Sequence, residues 1–239
     1  MFLRGPMTIT SSDNKWIKEL RKLSSAHGRG KSTLFAAEGE DLIEVALAAG
    51  WDPQVVLVRE GSGLEGEEVD AGLLDSAAGL SSGTRAVALF ERPASKPLEA
   101  GLCVHLCGLK DPGNVGTIIR SAHALGATSI SVGDGSADPF SHKAVRASMG
   151  SVFAIPINIG AQISDLPGFL VGLAASGEAG TIPEGDITLV IGAEREGLPA
   201  EVEAACDLLW GIPMAEGAES LNAAAAASVA LYAANRIQA

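Results

Sequence analysis

The chain has 239 residues, 47% of them hydrophobic, enough for one large domain or two modest ones with a real core. Its apolar runs stop well short of the roughly 18 residues that a membrane span needs. Nor does a charged-then-apolar leader open it, because Met1-Phe2-Leu3-Arg4-Gly5-Pro6 breaks at once, with a second methionine at Met7. A net charge of −12 weighs against indiscriminate RNA binding, yet the charge is unevenly spread. Residues 1–31 carry seven Lys/Arg against two acids, whereas residues 97–239 carry six against fifteen.

Asn14 to Ser25 has the period of an amphipathic helix, with Trp16, Ile17, Leu20 and Leu23 as its apolar stripe. Lys15, Lys18 and Lys22 line the other side, and Arg29-Gly30-Lys31 extends them; a solvated face and a phosphate-contacting stripe are both open readings. A strand is expected at Thr33–Gly39, a helix at Asp41–Ala49, a strand at Val55–Val58, a loop at Glu60–Glu68 and a strand at Arg85–Phe90. Alternation of this kind describes a small α/β domain over residues 1–92, and the two prolines of residues 93–97 mark a linker.

From Leu98 a second α/β rhythm runs to Ala239. Strands are expected at Leu102–Leu106, Ser129–Val132, Val152–Ile157, Ile187–Ile191 and Leu208–Ile212. Between them come a loop at Lys110–Gly116 and helices at Thr117–Leu125, Phe140–Met149, Leu166–Ala175 and Ser220–Ile237. The pattern predicts a mostly parallel sheet covered on both faces. The turns after Ile191 and after Ile212 are expected side by side, making a pocket lined by main-chain N–H and C=O groups.

Three cysteines (Cys103, Cys107, Cys206) and four histidines (His27, His105, His123, His142) have no metal-ligand spacing. The thiols therefore read as buried and reduced in a cytoplasmic protein, with no metal expected and His105 a strand core residue. Gly133-Asp134-Gly135 lacks the rest of a dinucleotide fingerprint. Arg120 sits at the edge of the Ile118–Ile119 stripe, where a guanidinium suits bidentate phosphate holding or simply a salt bridge. Glu194 stands out among the acids because Gly192 and Gly197 bound its loop.

Spacing then separates these readings. Asn114-x-Gly116-x-x-x-Arg120, Gly192-x-Glu194-x-x-Gly197-Leu198, and Ile212-Pro213-Met214 followed by Ser220-Leu221-Asn222 are three ordered signatures. Together with Lys143–Phe153 they resemble the SpoU (TrmH) family of RNA ribose methyltransferases, a part of the SPOUT superfamily. Residues 9–39 are similar to the substrate-binding domain often fused in front of it.

The resemblance implies a small N-terminal α/β substrate-binding domain and a C-terminal SPOUT α/β domain over 98–239, with a parallel sheet and a deep trefoil knot at about 187–239. It implies S-adenosyl-L-methionine as cofactor, held by Gly192, Ile212, Leu221, Met214 and Gly197. The implied catalytic set is Arg120, Asn114, Glu194, Ser220 and Asn222, and the family acts as a homodimer. RNA contacts are expected from Lys15, Lys18, Lys22, Arg29, Lys31, Lys143 and Arg146, with Lys110 and Arg195 assisting. Arg195 stands where a small residue is common in the family. The expected reaction is 2′-O-methylation of structured RNA, ribosomal RNA ahead of transfer RNA. A non-catalytic RNA-binding or ribosome assembly factor of the same fold is the alternative, and the missing glycine fingerprint argues against a nucleotide-dependent dehydrogenase.

Overall fold

The computed structural model describes residues 8–78, 83–217 and 220–238, with Arg236, Ile237 and Gln238 as main chain only. Arg4 and the opening Met1–Met7 segment lie outside these residues. The chain forms two compact units, residues 1–93 with 140–146, and residues 94–139 with 147–239.

The first unit begins with α1 (Lys15–Leu23), which the Asn14 side chain caps by accepting from the Trp16 N–H at 2.8 Å. Ile17, Leu20 and Leu23 are buried, so the predicted apolar stripe is the packed face. A short helix α2 (Ala26–Arg29), strand β1 (Leu34–Glu38), helix α3 (Glu40–Ala48) and strand β2 (Val55–Arg59) follow. The stretch expected to be wholly loop ends in a short strand, β3 (Glu67–Val69), and is succeeded by α4 (Ala71–Ala78) and β4 (Ala86–Glu91). The sheet order is β1-β4-β2-β3, with β4 antiparallel to both neighbours and β3 parallel to β2. Its face packs on α1 and α4 through Leu57, Leu74, Val87 and Leu89, all fully buried. Within the same unit Phe140 stacks 4.9 Å from Phe35, and the Arg92 guanidinium lies 5.2 Å from the Phe140 ring.

The second unit contains β5 (Leu102–Leu106), α5 (Pro112–Ala124), β6 (Ser129–Val132), the end of α6 (His142–Ala147) and β7 (Ile157–Ile159). Then come β8 (Phe169–Glu178), β9 (Ile187–Ile191), α7 (Ala200–Ala205), β10 (Leu208–Trp210) and α8 (Ala223–Gln238). The six strands run in the order β10-β8-β9-β5-β6-β7, and every pairing is parallel. Strands β5, β6 and β9 are buried along their whole length, as a sheet covered on both faces requires. Residues ahead of β5 close one edge of the sheet. Ser95 Oγ accepts from Ile159 N–H at 2.9 Å, Lys96 N–H reaches the Ile157 carbonyl at 3.4 Å, and Asn158 Nδ2 donates to the Lys96 carbonyl at 2.6 Å.

Four further expectations are corrected. Leu166–Ala175 is not a helix: β8 occupies most of it, because small residues let the segment slot between two strands. A Cβ on Gly172 would sit 2.9 Å from Cys206 Sγ, and one on Gly177 would sit 2.6 Å from the Trp210 main chain. Pairing on both sides overrides the helical spacing of its apolar residues. The strand expected at Val152–Ile157 is instead a 3₁₀ turn (Ser151–Phe153), entered through left-handed Met149 and Gly150, with β7 starting only at Ile157. Helix α5 starts five residues early, since Asp111 caps it and Pro112 takes its first position. Finally β8 separates β9 from β10, so the two turns expected side by side leave strands that are not neighbours.

Candidate active site

Chain direction in the parallel sheet fixes where a ligand site can form. From β5 the chain moves through α5 to β6 on one side, whereas from β9 it moves through α7 to β10 on the other. The carboxyl ends of β5 and β9 therefore bound a crevice where the winding reverses, the usual ligand position in open α/β sheets. Cys107 N–H, just past β5, still pairs with the Ile191 carbonyl at 2.8 Å, so the loops leaving the two strands start side by side.

Both loops are shaped by local chemistry. After β5, the Asp111 side chain accepts from Gly113 N–H at 2.7 Å and caps the start of α5. After β9, Ala193 and Gly197 exchange hydrogen bonds of 3.1 and 3.0 Å, closing a tight turn on Glu194, Arg195 and Glu196. Gly197 has φ +69°, and a Cβ on Gly192 would lie 2.4 Å from the Gly197 main chain. Only glycine fits at 192, and the left-handed backbone at 197 favours glycine.

A polar chain joins this turn to two helices. The Asn222 Oδ1 caps α8 by accepting from Ala224 and Ala225 N–H at 2.9 and 3.3 Å. Its Nδ2 must then face outward, and it donates to Asn114 Oδ1 at 3.1 Å. That leaves the Asn114 Nδ2 to donate to the Glu194 carboxylate. Every donor in the chain points from the α8 N-terminus toward Glu194, so each amide orientation follows from its neighbour. Three residues from three separate signatures, 80 and 108 positions apart, thus form one network. Lys110 Nζ adds a weak exposed contact to Glu196 at 3.8 Å.

Arg120 is exposed on α5, six residues past Asn114, on a helix whose opposite face buries Val115, Ile118, Ile119 and Ala122. Ser220, Met214 and Leu221 are exposed and Ile212 is half-buried, all on the segment between β10 and α8. Met214 and Leu221 show 40% and 39% of their surface to solvent, which core packing does not explain.

The sequence matches the SpoU rRNA Methylase family over residues 101–232 and an MRM3-like substrate binding domain over residues 14–84. The chain belongs to the SpoU rRNA methylase family. Among its relatives, the 23S rRNA (guanosine(2553)-2′-O)-methyltransferase RlmP of Bacillus subtilis (strain 168) is 30% identical, covering 94% of this chain and 97% of its own. The AdoMet-bound rRNA methyltransferase of Sinorhizobium meliloti superposes with a TM-score of 0.84 at 32% identity, over 96% and 97% of the two chains. The SpoU methyltransferase AviRb of Streptomyces viridochromogenes, in complex with the cofactor AdoMet, gives 0.81 at 29% identity over 94% and 98%.

The SpoU fold leaves the basic candidates in differing states. In the first unit Lys18 pairs with Asp13 at 2.9 Å, Lys22 lies 3.4 Å from Glu19, and Lys15 sits 4.2 Å from the Trp16 ring centre. The Arg29 guanidinium donates to the Leu23 carbonyl at 3.1 Å, so it caps the end of α1. Lys31 and Lys143 are exposed, and Arg146 approaches Glu38 at 3.9 Å. His142 Nε2 is 2.8 Å from the same carboxylate. Burial lowers the His142 pKa, and Glu38 opposes that shift. Among the described residues no cluster of three or more His, Cys, Asp or Glu is arranged to hold a metal, and no helix is long and apolar enough to cross a membrane.

Sequence reasoning passed over two residues beside this site, Ser121 and Ser228, whose hydroxyls meet at 2.8 Å. The one signal available was that Ser121 lies seven residues past Asn114, on the same helix face.

Proposed function

We propose that the protein transfers a methyl group from S-adenosyl-L-methionine to a ribose 2′-hydroxyl of ribosomal RNA. The observation that carries this reading is the network of Asn114, Glu194 and Asn222 at the sheet's reversal point, with Arg120 on the same helix as Asn114. Two of the relatives above are named for rRNA methylation, which favours ribosomal over transfer RNA.

The residues present fit the cofactor. The turn bounded by Gly192 and Gly197 brings main chain where a side chain would intrude, and Ile212, Met214 and Leu221 offer the apolar walls. When bound, S-adenosyl-L-methionine supplies a methyl group on a sulfonium, an intrinsically good leaving group. The protein's work is therefore alignment and activation of the hydroxyl. A guanidinium offers N–H donors and no acceptor, so the role given to Arg120 is that of a phosphate holder and not of the base. Arg120 holds the phosphate beside the target ribose, and a phosphate oxygen or water takes the 2′-proton. Asn114 and Glu194 orient the ribose edge, with Ser220 and Asn222 completing the polar wall.

Residues 1–92 serve as the RNA-binding part, contacting phosphate through Lys15, Lys18, Lys22 and Lys31, joined by Lys143 and Arg146. Residues 93–97 are the linker. The segment near 187–239 forms the trefoil knot expected of the fold. A second copy covers the exposed line Ala225, Val229 and Tyr232 on α8, giving a homodimer that works in the cytoplasm.

The test is incubation with radiolabelled S-adenosylmethionine and separate pools of unmodified 23S rRNA, 16S rRNA and tRNA, with Arg120→Ala alongside. Label should enter rRNA, appear in an alkali-resistant dinucleotide, and fall at least about a hundredfold in the variant. Unimpaired Arg120→Ala would remove the role given to that residue, and label in tRNA alone would overturn the substrate class.

A further inference from the structure

Helices α5 and α8 are fastened to each other at two points. The first is the Asn222–Asn114 hydrogen bond at their amino ends. The second is the pair Ser121–Ser228, with Oγ atoms 2.8 Å apart and both residues half-buried. Its direction follows from the proton count. Ser228 has one hydroxyl proton and donates it to the Ala224 carbonyl at 2.8 Å. It therefore meets Ser121 as acceptor, and the Ser121 hydroxyl is the donor.

The two fastenings have matching spacing. Asn114 and Ser121 are seven residues apart, about 10.5 Å along α5, and Asn222 and Ser228 are six apart, about 9 Å along the α8 axis. Seven residues are almost two turns, so Asn114 and Ser121 lie on one stripe of α5. Of the buried residues of α8, Ala223, Ala224, Ala227, Ala230 and Ala234 are small beside Leu231, and small side chains give a helix little to interlock against sliding or tilting. Polar pins supply the register that the small residues do not.

Arg120 precedes Ser121 directly and lies between the two pins, exposed on the flank of α5. Tilting of α5 about the first pin by about five degrees would swing the guanidinium, about 9 Å farther along the helix and at the end of a long arm, by about an ångström while hardly moving Asn114. We infer that Ser121 and Ser228 form a positioning pair that sets the angle of α5 against α8, and hence the place of the Arg120 guanidinium, during methyl transfer. This rests on the reading of Arg120 as phosphate-holding.

The experiment measures kcat on unmodified 23S rRNA, S-adenosylmethionine affinity by calorimetry, and melting temperature, for Ser121→Ala, Ser228→Ala, the double variant and Ser121→Thr. The expected result is a roughly tenfold loss of kcat in each alanine variant, because small misplacement of a catalytic group is costly. Cofactor affinity should be unchanged, the double variant no worse than either single, and Ser121→Thr close to native because it keeps the donor. The same Ser121→Ala change in an Arg120→Lys background should lose nothing further. Native kcat in the alanine variants, or an equal loss in the Arg120→Lys background, would overturn the positioning role. Native activity of Arg120→Ala would instead reject the reading of Arg120, so the two failures are distinct.

Discussion

At Gly192 two limbs of main chain pass so closely that a methyl group has nowhere to go, 2.4 Å from the Gly197 carbonyl carbon. Relief by rotamer change is impossible, because the obstructing atoms are backbone. Gly192→Ala should cost about 1–3 kcal/mol of stability through overpacking. It should also splay the Ala193–Gly197 turn and abolish measurable S-adenosylmethionine binding by calorimetry, in a chain that still melts cooperatively. Native affinity would count against placing the cofactor at this turn. Gly192, Glu194, Asn114 and Asn222 were all legible as signature members, because their spacing is recorded in the sequence. The direction of the amide chain was not. It depends on which atom of Asn222 caps α8, and that choice then propagates through Asn114 to Glu194.

Helix α5 shows what sequence reasoning does with elements. Its apolar face was readable, yet its start was placed at Thr117, when Asp111 and Pro112 carry the ordinary marks of a cap and first turn. Gly113 and Gly116 made the segment look like a loop; in the fold Gly116 is buried, with only a hydrogen to pack. Removing the cap by Asp111→Ala should destabilise the protein by about 1 kcal/mol in urea unfolding. Because that first turn carries Asn114, methylation should fall further than the stability loss alone explains. Strand β8 was illegible for a different reason. Leu166, Leu170 and Leu173 have helical spacing, and only partners distant in sequence, at Ile187–Ile191 and Leu208–Trp210, convert the segment into a strand.

For the molecule as a whole, the α/β class and the parallel sheet could be read from alternating elements, because that rhythm is local. The strand order could not, since it is set by which edges meet. One consequence of the assembled sheet is a pH dependence. His105 sits inside β5, its ring against Gly133 and its Nδ1 2.9 Å from Ser131 Oγ, and burial lowers its pKa to about 4. Between about 4 and the ordinary value of 6.5 the unfolded chain binds a proton that the folded chain refuses. Stability therefore falls as pH drops through this window, by roughly 1.4 kcal/mol per unit from this group, and the group contributes no slope above it. His105→Gln should be less stable at neutral pH yet lose stability more slowly between pH 6.5 and 4, as chemical unfolding at a series of pH values would show. Parallel pH profiles for the two proteins would disprove the assignment.

The docking of Ser95 and Lys96 along β7 bears on how the protein stays apart from its neighbours in a crowded solution. A bare outer strand is a template onto which another chain can zip, and Ile157–Ile159 is apolar enough to invite it. Here the polypeptide supplies its own guard, occupying the Ile157 carbonyl and both main-chain groups of Ile159 before any stranger can. A fragment trimmed to begin at residue 98 would shed that guard and become prone to aggregate, whereas one beginning at residue 94 would retain it.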